Sequence, residues 1–157
     1  MKRNVSLLLP VMNETDSLRD TVSILFQENR EVIHEVLIVI APQRTKEESR
    51  KVIRELQVEY GDVIKILEQT RPFLGGAMQD AFDTASGKWV LMMASDLETD
   101  PHTVKNLIEK AQAEDWDIVT TSRWVKGETF HGYNPIKFIL NFLFQKFFQI
   151  LYRTRLS

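Results

Sequence analysis

Three carboxylates fall within five residues, at Asp96, Glu98 and Asp100. They follow an apolar run, Trp89-Val90-Leu91-Met92-Met93-Ala94, of the kind that forms a buried strand. Carboxylates gathered at a strand end can bind Mg²⁺ or Mn²⁺, hard cations that prefer oxygen and share their shell with substrate phosphates. The three are not equivalent. Asp100 precedes Pro101, and Asp followed by Pro suits the cap and first position of a helix, so Asp100 reads as a cap. Asp96, nearest the strand end, and Glu98 remain as metal candidates, the plainer alternative being two solvated loop residues.

A second constellation sets Arg71 ahead of Gly75-Gly76. Small residues at a helix start let backbone N–H groups approach a phosphate, and a nearby Arg adds charge. A double glycine is also an ordinary turn signal, so this pattern gains weight only beside others. The chain has no GxGxxG, Walker A, HExxH or GxSxG, which removes the common dinucleotide, NTPase, zincin and hydrolase signatures. His34, His102 and His131 show no ligand spacing and read as surface or packing residues.

The elements that would position these groups alternate in type. Apolar runs at 5–9, 35–40, 63–67, 89–94 and 117–121 have strand length, and most are continuous, as in strands buried on both faces of a parallel sheet. Between them lie helical patterns. One is capped by Asn13 and Thr15 and runs to about Glu28, with an apolar stripe at Leu18, Val22 and Leu25. A second opens at a Thr45/Glu48 capping box and runs to about Tyr60. A third covers 75–86, and a fourth opens at Asp100-Pro101. The alternation predicts right-handed βαβ units: an α/β, Rossmann-like open sheet, mostly parallel, with helices on both faces. Ligands of such sheets bind outside the carboxyl ends of the strands, where Asp96 and Glu98 fall.

A chain of 157 residues, 43% hydrophobic and 27% charged, fits one such core. It has no cysteine, which excludes disulfides and thiolate chemistry and suits a reducing, cytoplasmic setting. A net charge of −2 argues against nucleic acid as a partner. That total hides an asymmetry. The segment from Asn134 to Ser157 carries Lys137, Lys146, Arg153 and Arg155, no acid, and five of the nine phenylalanines. Lys137, Asn141, Gln145, Gln149 and Arg153 recur every four residues as one polar stripe on an otherwise apolar helix. No uninterrupted apolar run there exceeds three residues, which excludes a simple spanning helix. The segment divides the chain into 1–133, a nucleotide-sugar-binding domain on the resemblance described next, and 134–157, an amphipathic basic helix. That helix lies in a membrane interface through 134–153, joins a second copy as a homo-oligomer, or packs on the sheet.

Four loops, in order, resemble the inverting family 2 glycosyltransferases of GT-A fold, and among them the polyprenyl-phosphate sugar transferases. Pro10-Val11-Met12-Asn13-Glu14 matches P-x-x-N-E after the first strand. Gly75-Gly76-Ala77 through Ala85-Ser86-Gly87 is similar to the family's glycine- and alanine-rich helix, with Ala81 where Gly is usual. Ala94-Ser95-Asp96-Leu97-Glu98-Thr99-Asp100-Pro101 matches D-A-D-L-Q-x-x-P, and Ser122-Arg123-Trp124-Val125-Lys126-Gly127 matches S-R-Y-V-x-G. The resemblance implies a nucleotide-sugar donor whose diphosphate is held by Mg²⁺ or Mn²⁺ on Asp96 and Glu98. It places Pro10, Asn13 and Glu14 around the nucleotide, with Arg71 and Gly75 as further donor contacts. Asp96 and Arg123 would be the catalytic residues, Arg123 facing the leaving or acceptor phosphate. The acceptor would be a polyprenyl phosphate or other lipid, met at the cytoplasmic surface of a membrane.

Three departures qualify this. After the second strand the family's V-D-D-G-S is replaced by Val39-Ile40-Ala41-Pro42-Gln43, and the first Asp of D-x-D is Ala94. The chain also ends at Leu156-Ser157, where the family continues, so an incomplete and weakly active enzyme is expected. The alternative is a non-catalytic α/β binding or assembly module that uses its C-terminal helix to hold a membrane or an oligomeric partner. A receiver domain fits poorly: Glu14 lies past the first strand and Lys126 lies five residues beyond Thr121.

Overall fold

The continuous apolar runs do form parallel strands. A computed structural model describes residues 4–114, 116–121 and 135–153. It contains two units, Met1–Trp116 and Asp117–Ser157. In the first, β1 (Val5–Val11), α1 (Asp16–Asn29), β2 (Ile33–Ile40), α2 (Glu47–Tyr60), a 3₁₀ turn (Gly61–Val63), β3 (Ile64–Glu68), α3 (Phe73–Thr84), β4 (Trp89–Met92) and α4 (Thr103–Glu114) follow in order. The four strands are all parallel and lie in the order β3-β2-β1-β4.

Side-chain alternation along the strands divides the core. Leu7, Leu9, Val11, Val36, Ile38 and Ile40 face α1, α2 and α4, meeting Leu18, Val22, Leu25, Val52, Ile53, Leu56, Val104 and Ile108. The other face, Leu8, Leu37 and Val39, is covered by α3 through Ala77, Met78 and Ala81. Both faces of β1 and β2 are therefore dry, which is why their sequences read as runs rather than alternations.

A carboxylate sits inside this apolar sheet. Glu35 is 1% exposed. Its Oε1 accepts from Ser6 Oγ at 2.6 Å, Ser86 N at 2.7 Å and Ser86 Oγ at 2.8 Å, and its Oε2 from Lys65 Nζ at 2.7 Å. The Gly87 N–H donates to Ser6 Oγ at 2.9 Å, a close approach open only to glycine, since a Cβ there would stand 2.7 Å from Ser6 N. The network joins β1, β2, β3 and the turn into β4 at their amino-terminal edge.

Several expected boundaries move. Residues 117–121 form no strand; Ile118 is 80% exposed, and a five-residue stretch with two apolar side chains buries too little to recruit a ladder. The Thr45/Glu48 capping box does not form. Thr45 Oγ1 instead donates to the Val11 carbonyl and accepts from Ala41 N, each at 3.0 Å, and α2 begins after Lys46 without a side-chain cap. Thr15 likewise precedes α1 without capping it. α4 begins at Thr103 because Asp100 closes a turn first, its Oδ1 accepting from His102 N at 3.0 Å. α3 starts two residues before the glycines.

The second unit carries α5 (Pro135–Tyr152). Phe148 stacks between Phe144, at 4.5 Å, and Tyr152, at 5.7 Å between ring centroids. Among the described residues no helix is long and apolar enough to cross a membrane.

Burial raises the pKa of Glu35, but Lys65, Ser6 and Ser86 outweigh it and bring the carboxyl from an ordinary 4.5 down to about 2. A depressed folded-state pKa gives stability that is complete above about 4.5 and is lost as pH falls toward 2. The shift corresponds to about 3 kcal/mol. Urea unfolding at pH 7 is expected to show Glu35→Gln less stable by about that much, with the gap from wild type closing between pH 4.5 and 2. A gap unchanged over that range would remove the carboxylate from the stability of the sheet.

Candidate donor site at the carboxyl edge of the sheet

In the order β3-β2-β1-β4 the chain steps outward from β1 to β3, then returns to the far side of β1. The crevice between β1 and β4 is thus the switch point at which open α/β sheets take their ligands. The loops bordering it are 12–15 and 93–100, which contain Asn13, Glu14, Asp96 and Glu98 of the residues singled out from the sequence.

The second of these loops is joined directly to β1. Ser95, 2% exposed, donates its Oγ to the Pro10 carbonyl at 2.6 Å, and Met93 N reaches the Leu8 carbonyl at 3.2 Å. Ser95 thereby fixes the backbone immediately before Asp96 against the end of β1. Its only local signature is a small hydroxyl residue between an apolar strand and an acid. Glu14 turns back on its own loop, its Oε2 accepting from Met12 N at 2.6 Å and Asn13 N at 2.9 Å. It shapes the loop and leaves Asn13 exposed at its tip.

Asp96 and Glu98 both face solvent. Asp96 Oδ1 accepts from Glu98 N at 3.0 Å, which bends the chain through Leu97 at φ 66°, a left-handed value costly for a branched residue. Among the described residues, nothing bonds to Asp96 Oδ2 or to the Glu98 carboxylate. Among the described residues no three His, Asp or Glu side chains converge on one point. Two carboxylates suit a Mg²⁺ or Mn²⁺ ion that draws its other ligands from water and substrate phosphate, so the donor set fits such an ion in type and number. Asp100 is spent on its turn. Arg123 and the rest of its loop lie outside the described residues.

Arg71 and Gly75 lie where β3 passes into α3, and β3 is separated from β1 by β2. The Arg71 guanidinium pairs with Asp83 Oδ2 at 2.7 Å and Asp80 Oδ1 at 2.9 Å. Asp80, 9% exposed, also accepts from Thr70 N at 2.5 Å and Arg71 N at 3.0 Å, and these backbone N–H groups hold its carboxyl below the usual range. The bond to Asp83 raises the guanidinium pKa further. Arg71 therefore shapes this loop, and the glycine under steric demand is Gly76. A Cβ there would stand 2.6 Å from Arg71 Cβ and 2.7 Å from its carbonyl carbon, whereas one on Gly75 would meet nothing within 4 Å.

Comparison with known proteins bears on this arrangement. The profile of glycosyl transferase family 2 matches residues 6–156. The dolichol-phosphate mannosyltransferase of Pyrococcus furiosus is 31% identical over 126 residues, covering 78% of this chain and 34% of that protein. The undecaprenyl-phosphate 4-deoxy-4-formamido-L-arabinose transferase of Proteus mirabilis is 26% identical over 120 residues, covering 76% and 36%. The chain thus spans about a third of the length of these relatives. In fold it is similar to a mannosyltransferase from Pyrobaculum calidifontis solved with GDP-Man and Mn²⁺, at TM-score 0.58 and 18% identity over 71% of this chain and 33% of that one.

The two glycines should separate under substitution. Thermal unfolding is expected to show Gly76→Ala destabilised by about 1–3 kcal/mol, because backbone at Arg71 must move to admit the methyl. Gly75→Ala should be neutral or stabilising by up to about 1 kcal/mol, since it removes helix-interior glycine entropy in open space. Equal effects at both positions would contradict the crowding at Arg71.

Proposed function

This chain belongs to glycosyl transferase family 2, and on that premise we propose that it binds a nucleotide-sugar donor in the β1/β4 crevice and transfers the sugar to a polyprenyl phosphate at a membrane surface. The observation that carries the reading is the Ser95–Pro10 bond, which fixes the loop that bears Asp96 to the end of β1. Pro10, Asn13 and Glu14 form the wall on the nucleotide side. Arg71 and Gly75 act from the β3–α3 loop, Arg71 by holding its shape.

Asp96 and Glu98 would hold a Mg²⁺ or Mn²⁺ ion, whose charge would offset that of the departing nucleotide diphosphate. The chain's own part is positional. Asp96 keeps one oxygen on the Glu98 N–H and presents the other, so the orientation of the carboxylate is set before any ligand arrives. Arg123 is assigned to the leaving or acceptor phosphate, where a guanidinium can make paired charge-assisted hydrogen bonds. Named activities of the relatives support a lipid-phosphate acceptor. A non-catalytic module is the less favoured reading, since family membership and the crevice geometry both favour the transferase.

α5 supports the membrane side of the proposal. Ile139, Leu143, Phe144, Phe147 and Ile150 are exposed, and the helix carries Lys146 with Arg153 just beyond its end and no acid. Exposed apolar and basic residues on one helix suit an anionic lipid interface, with the residues at 134–153 as the contact.

Calorimetric titration with GDP- and UDP-sugars should show Mn²⁺ tightening the binding of at least one donor, and Asp96→Ala should abolish that increment, a loss of about tenfold or more. Donor affinity indifferent to both Mn²⁺ and the substitution would remove the metal role. Sedimentation with vesicles tests the surface role. The chain should bind vesicles rich in anionic lipid, and Lys146→Glu with Arg153→Glu should weaken this at least tenfold, at about fivefold for each charge removed. Equal partition of the two proteins would overturn it.

A further inference from the structure

On the other side of β1 from Asp96, the loop between β2 and α2 is held unusually firmly. Arg44 N and Thr45 N both donate to the Ala41 carbonyl, at 3.1 and 2.9 Å. Thr45 Oγ1 ties the loop to Val11, and Lys46 N donates to the Met12 carbonyl at 3.0 Å. From α2, Arg50 Nη2 donates to the Pro42 carbonyl at 2.6 Å and its Nε to the Thr45 carbonyl at 3.3 Å. The loop is thus pinned to β1 and to its own helix, and Thr45 and Arg50 supply the pins.

Two cations on it do none of this work. Arg44 and Lys46 are exposed at the side chain and, among the described residues, have neither an ion pair nor a side-chain hydrogen bond. The nearby acids do not neutralise them: Glu47 is paired with Arg54, Glu68 approaches Arg50 at 3.9 Å, and Glu48 pairs with neither cation. Lys46 also occupies the N-cap of α2 with no cap bond, a position where helix energetics disfavour a cation. Two uncompensated positive charges on a rigid loop, bonded to Met12 beside Asn13 and Glu14, are a poor arrangement for stability alone.

We propose that Arg44 and Lys46 form a phosphate-binding subsite on the β2 side of the donor crevice, holding diphosphate charge by direct charge-assisted hydrogen bonds. This rests on the donor-site reading above. Adjacent strands lie about 4.8 Å apart, so the β2 and β4 loops flank the end of β1 at a backbone separation of about 10 Å. A nucleotide diphosphate over β1 then has carboxylates with their ion on one side and fixed cations on the other. Two oxygen-bearing loop carboxylates are a sparse ion site, and the cations supply the charge compensation that the sparse set does not.

Binding of inorganic pyrophosphate, UDP and GDP to the full chain, each with Mn²⁺ and with EDTA, tests the subsite. In EDTA the wild type should bind pyrophosphate and at least one nucleotide, and Arg44→Ala with Lys46→Ala should weaken both by tenfold or more. Lys51→Ala, which removes one positive charge from α2 away from this loop, should leave affinity unchanged. Arg44→Lys with Lys46→Arg should restore most of the pyrophosphate binding. Unchanged pyrophosphate affinity in the double alanine variant, no pyrophosphate binding by the wild type, or an equal loss in Lys51→Ala would overturn the subsite. Pyrophosphate bound through these cations with no gain for either nucleotide would instead uphold the subsite and defeat the nucleotide-sugar reading. Both alanine substitutions are at exposed side chains, so unchanged thermal unfolding should accompany the loss.

Discussion

The central strand β1 ends between two neighbours, where the ladder can no longer serve its last carbonyls, and two buried hydroxyls take over: Ser95 Oγ on Pro10 and Thr45 Oγ1 on Val11. Each bond contributes only about 1 kcal/mol to stability. Their larger effect is geometric, since each joins a different loop to the same strand end. The β4 loop with its carboxylates and the β2 loop with its cations are fixed to β1 from opposite sides, and the donor crevice is the space these attachments define. Loops in a sheet of this kind would otherwise be its most mobile parts.

The opposite edge uses charge for the same purpose. Glu35 draws Ser6, Lys65 and the 86–87 turn onto one carboxylate, so three strands and the entry to the fourth share a single anchor. A buried charge is costly unless it is fully bonded, and this one has four donors, one of them cationic. The two edges divide the labour. At the amino edge the Glu35 carboxylate is buried and fully bonded, and at the carboxyl edge Asp96 and Glu98 keep their charges in water.

How much of this was legible in the sequence follows from the range of the interactions. The strands, the parallel sheet and the α1 stripe of Leu18, Val22 and Leu25 could be read because continuous apolar runs and helical spacing are local signals. Of the four ordered loops, 10–14 and 94–101 border the crevice, and 122–127 lies outside the described residues. Thr45 and Ser95 could not be read, because their partners lie 34 and 85 residues away. Thr45 even gave a false local signal: its hydroxyl would serve a capping box, but the unsatisfied Val11 carbonyl competes for it. Arg71 misled for the same reason, its charge answered by Asp80 and Asp83 a helix turn or more into α3. The expected strand at 117–121 failed because propensity without a partner ladder stabilises nothing.

Exposure of Asp96 and Glu98 sets how the crevice handles charge. Two neighbouring carboxylates in water repel weakly, because solvent screens them, and so the empty crevice costs the fold little beyond the left-handed bend at Leu97. Once a ligand displaces that water the repulsion rises several-fold, and a diphosphate would add to it. Binding is then favourable only if positive charge arrives or already stands nearby. In the proposed arrangement a divalent ion arriving with the donor would meet the need on the β4 side, and Arg44 and Lys46 would meet it on the β2 side without having to be recruited. The fold pays for neither until a ligand is present, because all four side chains remain hydrated before then. This explains how a site can carry strong, unbalanced local charges at the end of a sheet whose buried carboxylate, Glu35, has to be fully bonded.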